Sequence, residues 1–234
     1  MIGEHSSKQY DQELEAIRSK VLQMGGIVEE QFLEAMECFK GGNVERAAQV
    51  MANDATVNQL EVSLDDACSH LIVRRQPAAN DLRTVMATVK VITDLERIGD
   101  EAAKIARTAR DMYSRGTAAN LQHYDMVRSI AGTTGQMLHD ALDAFARLDG
   151  SQAMDLIAQD EIVDHDFRTI MRNLITFMME DPRTISPALD TLWVAKAIER
   201  IGDHAKNIAE YVIYVVEGKD IRHTKPAAGN GAIE

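Results

Sequence analysis

Apolar residues recur at helical spacing through most of this chain. Val57, Leu60 and Leu64 repeat at intervals of three and four, Val85, Val89 and Ile92 do the same further on, and Leu192 and Ala195 carry the pattern in the second half. Such spacing marks one face of an amphipathic helix. Breaks cut the pattern into segments. Gly41-Gly42-Asn43 is the first, with Asn43 a good helix N-cap. Gln76-Pro77-Ala78-Ala79-Asn80-Asp81 is the second, and Ser114-Arg115-Gly116-Thr117 through Asn120 the third. Asp149-Gly150-Ser151 and Glu180-Asp181-Pro182-Arg183 repeat the first two breaks later on, and Gly218 ends the last segment. The pattern predicts helices over residues 7–40, 43–75, 79–114, 120–148, 151–180 and 184–217. Short connections between helices of that length force antiparallel neighbours.

The two halves also share a word. Glu-Arg-Ile-Gly-Asp occurs at Glu96 to Asp100 and again at Glu199 to Asp203, each time after an apolar stretch and before Ala and Ile. Asp54-Ala55-Thr56-Val57-Asn58 resembles Asp160-Glu161-Ile162-Val163-Asp164 in the same way. A repeat of about 100 residues is too long for a common solenoid and implies two copies of one domain. The expected fold is all-α, a tandem duplication of an antiparallel three-helix bundle. Its first copy spans 1–116 and its second 117–218; a disordered tail at 219–234 carries Pro226, Gly229 and Gly231. Gly25-Gly26 and Gly132/Gly135 fall inside helices, where each costs about 1 kcal/mol relative to Ala. Close helix packing or a kink is the expected reason.

Composition narrows the function. Across 234 residues, Lys+Arg 25 against Asp+Glu 37 leaves a net charge of −12. That excludes a basic nucleic-acid footprint and adsorption to anionic lipid, and favours cations or basic protein partners. Cys38 and Cys68 lack metal-type spacing and read as small buried apolar residues in a reducing compartment. Met1-Ile2-Gly3-Glu4-His5 is too polar for a signal peptide, and no apolar window reaches the ~18 residues of a membrane span. A cytoplasmic location is expected.

The repeated pentapeptide carries the candidate chemistry. Residues four apart share a helix face, so Glu96 with Asp100 and Glu199 with Asp203 each present two carboxylates side by side. Glu96 continues the stripe of Val85, Val89 and Ile92, with Asp100 about 40° further round at ~100° per residue. Glu199 likewise follows Leu192 and Ala195. Like charges at this spacing weaken a helix by about 0.2–0.5 kcal/mol, and desolvation adds to that. The neighbouring helices supply more acid. Asp54, Asn58, Glu61 and Asp65 share one face of the second helix; Asp160 and Asp164 match them in the fifth, with Glu161 and His165 one position round. His204 and Asn207 are candidate additions to the second site. Glu101 and Lys104 stand in their places at the first, so the two sites are expected to differ electrically. Two readings fit this spacing. A divalent cation such as Mg, Mn or Fe is the counter-charge, since oxygen-rich sets suit hard or borderline ions. Otherwise Arg97 and Arg200 serve the acids of the neighbouring helix as plain salt bridges.

Signatures of catalysis are missing. The Glu-x-x-His pairs of ferritin-like di-iron bundles do not occur, nor do a phosphate-binding loop or a nucleophile elbow. A metal-dependent, carboxylate-bridged enzyme remains the alternative, with His165 or His204 as its base. The 12 methionines read as core filler, and His70, His123 and His139 as isolated surface or packing residues.

The duplicated Glu-Arg-Ile-Gly-Asp, and above all the run Glu199-Arg200-Ile201-Gly202-Asp203-His204-Ala205-Lys206-Asn207-Ile208-Ala209-Glu210, resembles the PhoU family of bacterial phosphate-signalling accessory proteins. The resemblance covers residues 8 to 217. It implies two three-helix bundles whose acidic motifs bind divalent or trivalent metal ions (Mg, Mn, Fe or Zn). Carried over, those motifs are Glu96 with Asp100 and Glu199 with Asp203; Asp54, Asn58, Glu61, Asp160 and Asp164 are their companions. It further implies a non-enzymatic negative regulator of the phosphate-starvation response. Such a regulator links the ATPase subunit of a phosphate ABC transporter to the PhoR sensor histidine kinase, at the inner membrane but without inserting into it. Long bundles with spare apolar surface also suggest a homodimer. The first copy departs from the commoner pattern at Lys104, where the second has Asn207.

Overall fold

The computed structural model describes residues 3–116 and 124–221. Six long helices fill them: α1 (Gly3–Gly41), α2 (Val44–Arg75), α3 (Asn80–Ser114), α4 (Tyr124–Arg147), α5 (Gly150–Glu180) and α6 (Ile185–Glu217). A 3-10 turn at Pro182–Thr184 joins the last two. The predicted tail beyond Ile221 and the start of the fourth predicted helix at 120 lie outside the described residues, as does most of the predicted break before it.

Local chemistry sets the boundaries. Asn43 caps α2 by accepting the Arg46 amide at 2.8 Å, and Asp149 caps α5 by accepting from Ser151 and Gln152. Gly42 turns the chain with φ +68, where a Cβ would fall 2.1 Å from the Tyr113 ring, so only glycine fits. Gly218 ends α6 in the left-handed conformation, its amide bonding Tyr214 O.

The halves do not stand apart. α2 packs on α1 and α3, and α5 on α4 and α6, which gives the two expected bundles. Yet α3 packs most extensively on α6, and α1 also meets α4, so α1, α3, α4 and α6 close into one ring with α2 and α5 outside it. A single apolar core runs through both halves. Val21, Met24, Val28, Phe32, Ala35 and Phe39 line it from α1; Val194, Ile198, Ile201, Ala205, Ile208 and Val212 line it from α6. The α3–α6 pair is antiparallel, as Asp94 meets His204, Arg83 lies over the Tyr214 ring, and Arg115 meets Asp190. The expectation of close packing holds at Gly25, where a Cβ would fall 2.6 Å from Leu142 of α4. Gly26 and Gly132 face open space.

Candidate functional site

Each pentapeptide sorts its five residues to different tasks. Ile98 and Ile201 are fully buried in the core. The glycines admit the outer helix. A Cβ on Gly99 would lie 3.4 Å from Val57 Cγ1 of α2, and one on Gly202 would lie 3.3 Å from Val163 Cγ1 of α5. That approach brings Asp54 and Glu61 alongside Glu96 and Asp100, and Asp160 and Asp164 alongside Glu199 and Asp203. The expected pairing of acids across helices is therefore present in both halves.

The first cleft holds five carboxylates, Asp54, Glu61, Asp65, Glu96 and Asp100. Among the described residues none of them has a lysine, arginine or histidine within ion-pair distance (4.0 Å). Loss of hydration, then Asp100, Glu61 and Asp54, pushes the Glu96 carboxyl above its usual range. Burial followed by the Asp100 charge does the same to Asp54, against the pull of Arg107 and Lys104. Glu61 is raised by burial and then by Asp65, and Asp65 by burial and then by Asp66. Asp54 Oδ1 and Asp65 Oδ1 are buried with no hydrogen-bond partner. A buried acceptor left unmade costs about 1–3 kcal/mol, and more when charged. Asn58 is exposed instead, on the outer surface of α2 beside Val62 and Asp66.

The second cleft holds four acids, Asp160, Asp164, Glu199 and Asp203, in a different balance. Lys206 Nζ donates to Asp160 at 2.6 Å, Lys196 Nζ to Glu199 at 2.5 Å, and Arg168 to Asp164 at 2.8 Å. Burial works against the Lys206 ammonium, but its hydrogen bond to Asp160 and the surrounding acids hold its pKa above the ordinary value. Lys196 also sits 5.3 Å from the centroid of the Phe167 ring. Asp203 alone of the four acids lacks an ion pair among the described residues. Its side chain keeps an exposed edge, yet the cleft crowds it. Desolvation, then Glu199 and Asp160, raise it to about 6 against the pull of Lys196.

His204 and Asn207 do not join this cleft. They turn round α6 from Asp203, His204 by ~100° and Asn207 by about 40°, and bind Asp94 of α3, His204 Nδ1 at 2.6 Å and Asn207 Nδ2 at 3.1 Å. His204 is thereby committed elsewhere and is no base for chemistry at the acids. Glu101 also serves the α3–α6 contact: it pairs with Arg200 of α6 at 2.8 Å and accepts from Lys104 of its own helix at 3.0 Å. Arg200 thus serves an acid of the other half, not of its neighbour α5. The electrical difference between the halves rests instead on Lys196 and Lys206. Register of the pentapeptides puts Thr93 and Ala103 in their places at the first cleft, a signal present in the sequence.

As a test of metal binding the two clefts give different answers. The first offers oxygen donors of the right hardness, with two of them orphaned. Among the described residues no three His, Cys, Asp or Glu side chains already converge as a ligand set, so the cleft is charged but not preformed around an ion. The second is neutralised from within. Among the described residues no helix is long and apolar enough to cross a membrane. Cys38 and Cys68 are buried and free, and His139 pairs with Glu29 at 3.0 Å.

Fold and site together define a class: a duplicated helical bundle with an acidic cleft between the outer and inner helices of each half. The profile of the PhoU domain matches residues 21–109 and 127–212. The chain is 45% identical over 225 residues to the phosphate-specific transport system accessory protein PhoU of Edwardsiella tarda, covering 95% of this chain and 90% of that one. For the protein of that name from Escherichia coli K12 the identity is 44%, with 95% and 91% covered. A crystal structure of PhoU from Pseudomonas aeruginosa matches with a TM-score of 0.87 at 44% identity, covering 90% of this chain and all of that one, 100%. The phosphate transport system regulatory protein PhoU of Streptococcus pneumoniae matches with 0.83 at 26% identity, covering 90% and 98%. The chain belongs to the PhoU family.

Proposed function

We propose that the chain is a non-enzymatic regulator of phosphate homeostasis, acting in the cytoplasm at the inner face of the membrane. It represses the phosphate-starvation response by coupling a phosphate ABC transporter, through its ATPase subunit, to the PhoR sensor histidine kinase. The observation that carries this reading is identity of 44–46% along nearly the whole chain to accessory proteins of the phosphate-specific transport system. The helical architecture supports it too. Long, acidic side faces suit protein partners, and coupling needs only different affinities for two of them.

A divalent or trivalent cation is part of the same proposal. It would be held at the first cleft by carboxylates of Glu96, Asp100, Asp54, Glu61 and Asp65, whose mutual repulsion and orphaned oxygens support it. Such an ion supplies positive charge between α2 and α3, and phosphate would reach the acids only across it. Self-association into a homodimer completes the reading, supported by large apolar side chains left at the surface, Met179, Val73 and Trp193 among them.

Co-purification of the full chain with the ATPase subunit and with the kinase, in phosphate-replete buffer, tests the coupling. Recovery of both complexes is expected. Failure to bind either partner would overturn it.

A further inference from the structure

The two clefts are copies in sequence but not in charge. In the register of the pentapeptides Thr93 stands against Lys196 and Ala103 against Lys206; in the Asp54/Asp160 register Glu61 stands against Phe167, Asp65 against Met171, and Asn58 against Asp164. All but the last move the second cleft toward neutrality, and Asp164 brings its own partner, Arg168, at 2.8 Å. Lys206 Nζ lies 2.6 Å from Asp160, and Lys196 Nζ lies 2.5 Å from Glu199 while resting over the ring that replaces an acid. Asp160 and Glu199 are themselves buried, so water does not share the task of neutralising them. An ammonium at such distances occupies the oxygen lone pairs a metal needs, and its charge repels any dication that approaches. Among the described residues the first cleft has no such group within ion-pair distance, Arg97, Lys104 and Arg107 acting only from further off, and Asp54 Oδ1 and Asp65 Oδ1 go unpaired.

We propose that Lys196 and Lys206 are resident counter-ions of the second cleft, standing where the first cleft is open to a dissolved divalent cation. The chain then holds such a cation in one half only. The statement about the first half rests on the cation reading given above; the statement about the lysines does not. In the regulator this leaves one half whose packing responds to cation supply and one that is permanently closed.

Manganese tests it, by equilibrium dialysis of the full chain with elemental analysis and the electron spin resonance signal of bound Mn2+. Wild type should lose its bound Mn2+, weakening at least about tenfold (1.4 kcal/mol), on Glu96→Gln/Asp100→Asn. It should stay unchanged on Glu199→Gln/Asp203→Asn. Lys196→Thr/Lys206→Ala should gain Mn2+, and that gain should vanish when Glu199→Gln/Asp203→Asn is added. Its melting temperature should fall in chelator and recover with Mn2+. Lys196→Gln/Lys206→Gln, which keeps side-chain bulk, serves the same purpose if the smaller pair does not fold. Loss of wild-type Mn2+ on Glu199→Gln/Asp203→Asn, or no gain in a folded lysine variant, would overturn the proposal. Wild type without Mn2+ beside a lysine variant that gains it would remove the cation reading of the first cleft and uphold the lysines.

Discussion

His204 Nδ1 lies 2.6 Å from Asp94 Oδ1, tying α6 to α3 inside the core that the two halves share. Both side chains are buried, at 8% and 3% exposure, so neither can fall back on water when the other is removed. His204→Ala is expected to cost about 3 kcal/mol, because it leaves a buried carboxylate with only the Asn207 amide. At 2–4 °C per kcal/mol that is a fall in Tm of roughly 6–12 °C. A double-mutant cycle with Asp94→Ala, read by chemical unfolding, should show coupling well above 0.5 kcal/mol in order of magnitude. Additive effects would mean that the pair does not join the halves.

The glycines make a second comparison. Gly99→Val should destabilise by about 1–3 kcal/mol, since the added carbons meet Val57 and Gln31 in a packed contact. Gly26→Ala, on the open side of α1, should stabilise by roughly 0.5–1 kcal/mol through helix propensity alone. Urea midpoints of the two variants should therefore move in opposite directions. Movement in the same direction would show that Gly99 is not the point of close approach.

Asp203 should make stability fall as pH rises. Its pKa is about 6 in the folded chain against an ordinary 3.8, so between those values the folded state binds the proton more tightly. The contribution is fully present below about pH 4 and is lost as pH climbs through 6. Above that the ionised carboxylate opposes folding. Asp203→Asn should stabilise the fold at pH 7 to 8 by roughly 1 kcal/mol once solvent screening at the exposed edge is allowed for, and so raise Tm. The advantage should disappear near pH 4. A gain that stayed constant from pH 4 to pH 8 would point to packing instead of charge.

Glu96 should behave with opposite signs in the presence and absence of a cation. Glu96→Gln relieves repulsion with Asp100, Glu61 and Asp54, so in chelator it should melt higher than wild type. A stabilisation of roughly 1 kcal/mol is expected, worth a few degrees. Added Mn2+ should raise the melting temperature of wild type and leave Glu96→Gln nearly unmoved. Equal shifts in both would take Glu96 out of the cation's reach.

How much of this was legible in the sequence follows from what each signal measures. Periodicity and capping report on a helix and its immediate flanks. Asn43, Gly218 and the repeated breaks therefore placed most described helix ends within a few residues. Helical phase also placed Glu96/Asp100 and Glu199/Asp203 on faces that meet α2 and α5, because the wheel of one helix fixes which residues look the same way. Duplication was visible as a repeated word.

Partner choice is a different kind of fact. His204 lies only 100° from Asp203 on α6, and that small rotation sends it to Asp94, 110 residues away on a helix of the other half. Phase within α6 does not say that a second helix waits there. Fusion of the two bundles through α3 and α6, the turning of Glu101 and Asn207 into that seam, and the reach of Lys206 across to Asp160 of α5 were decided by tertiary packing. The reason is physical: a carboxylate takes whichever cation or donor the packed helices bring within about 3 Å, and only the fold sets that distance.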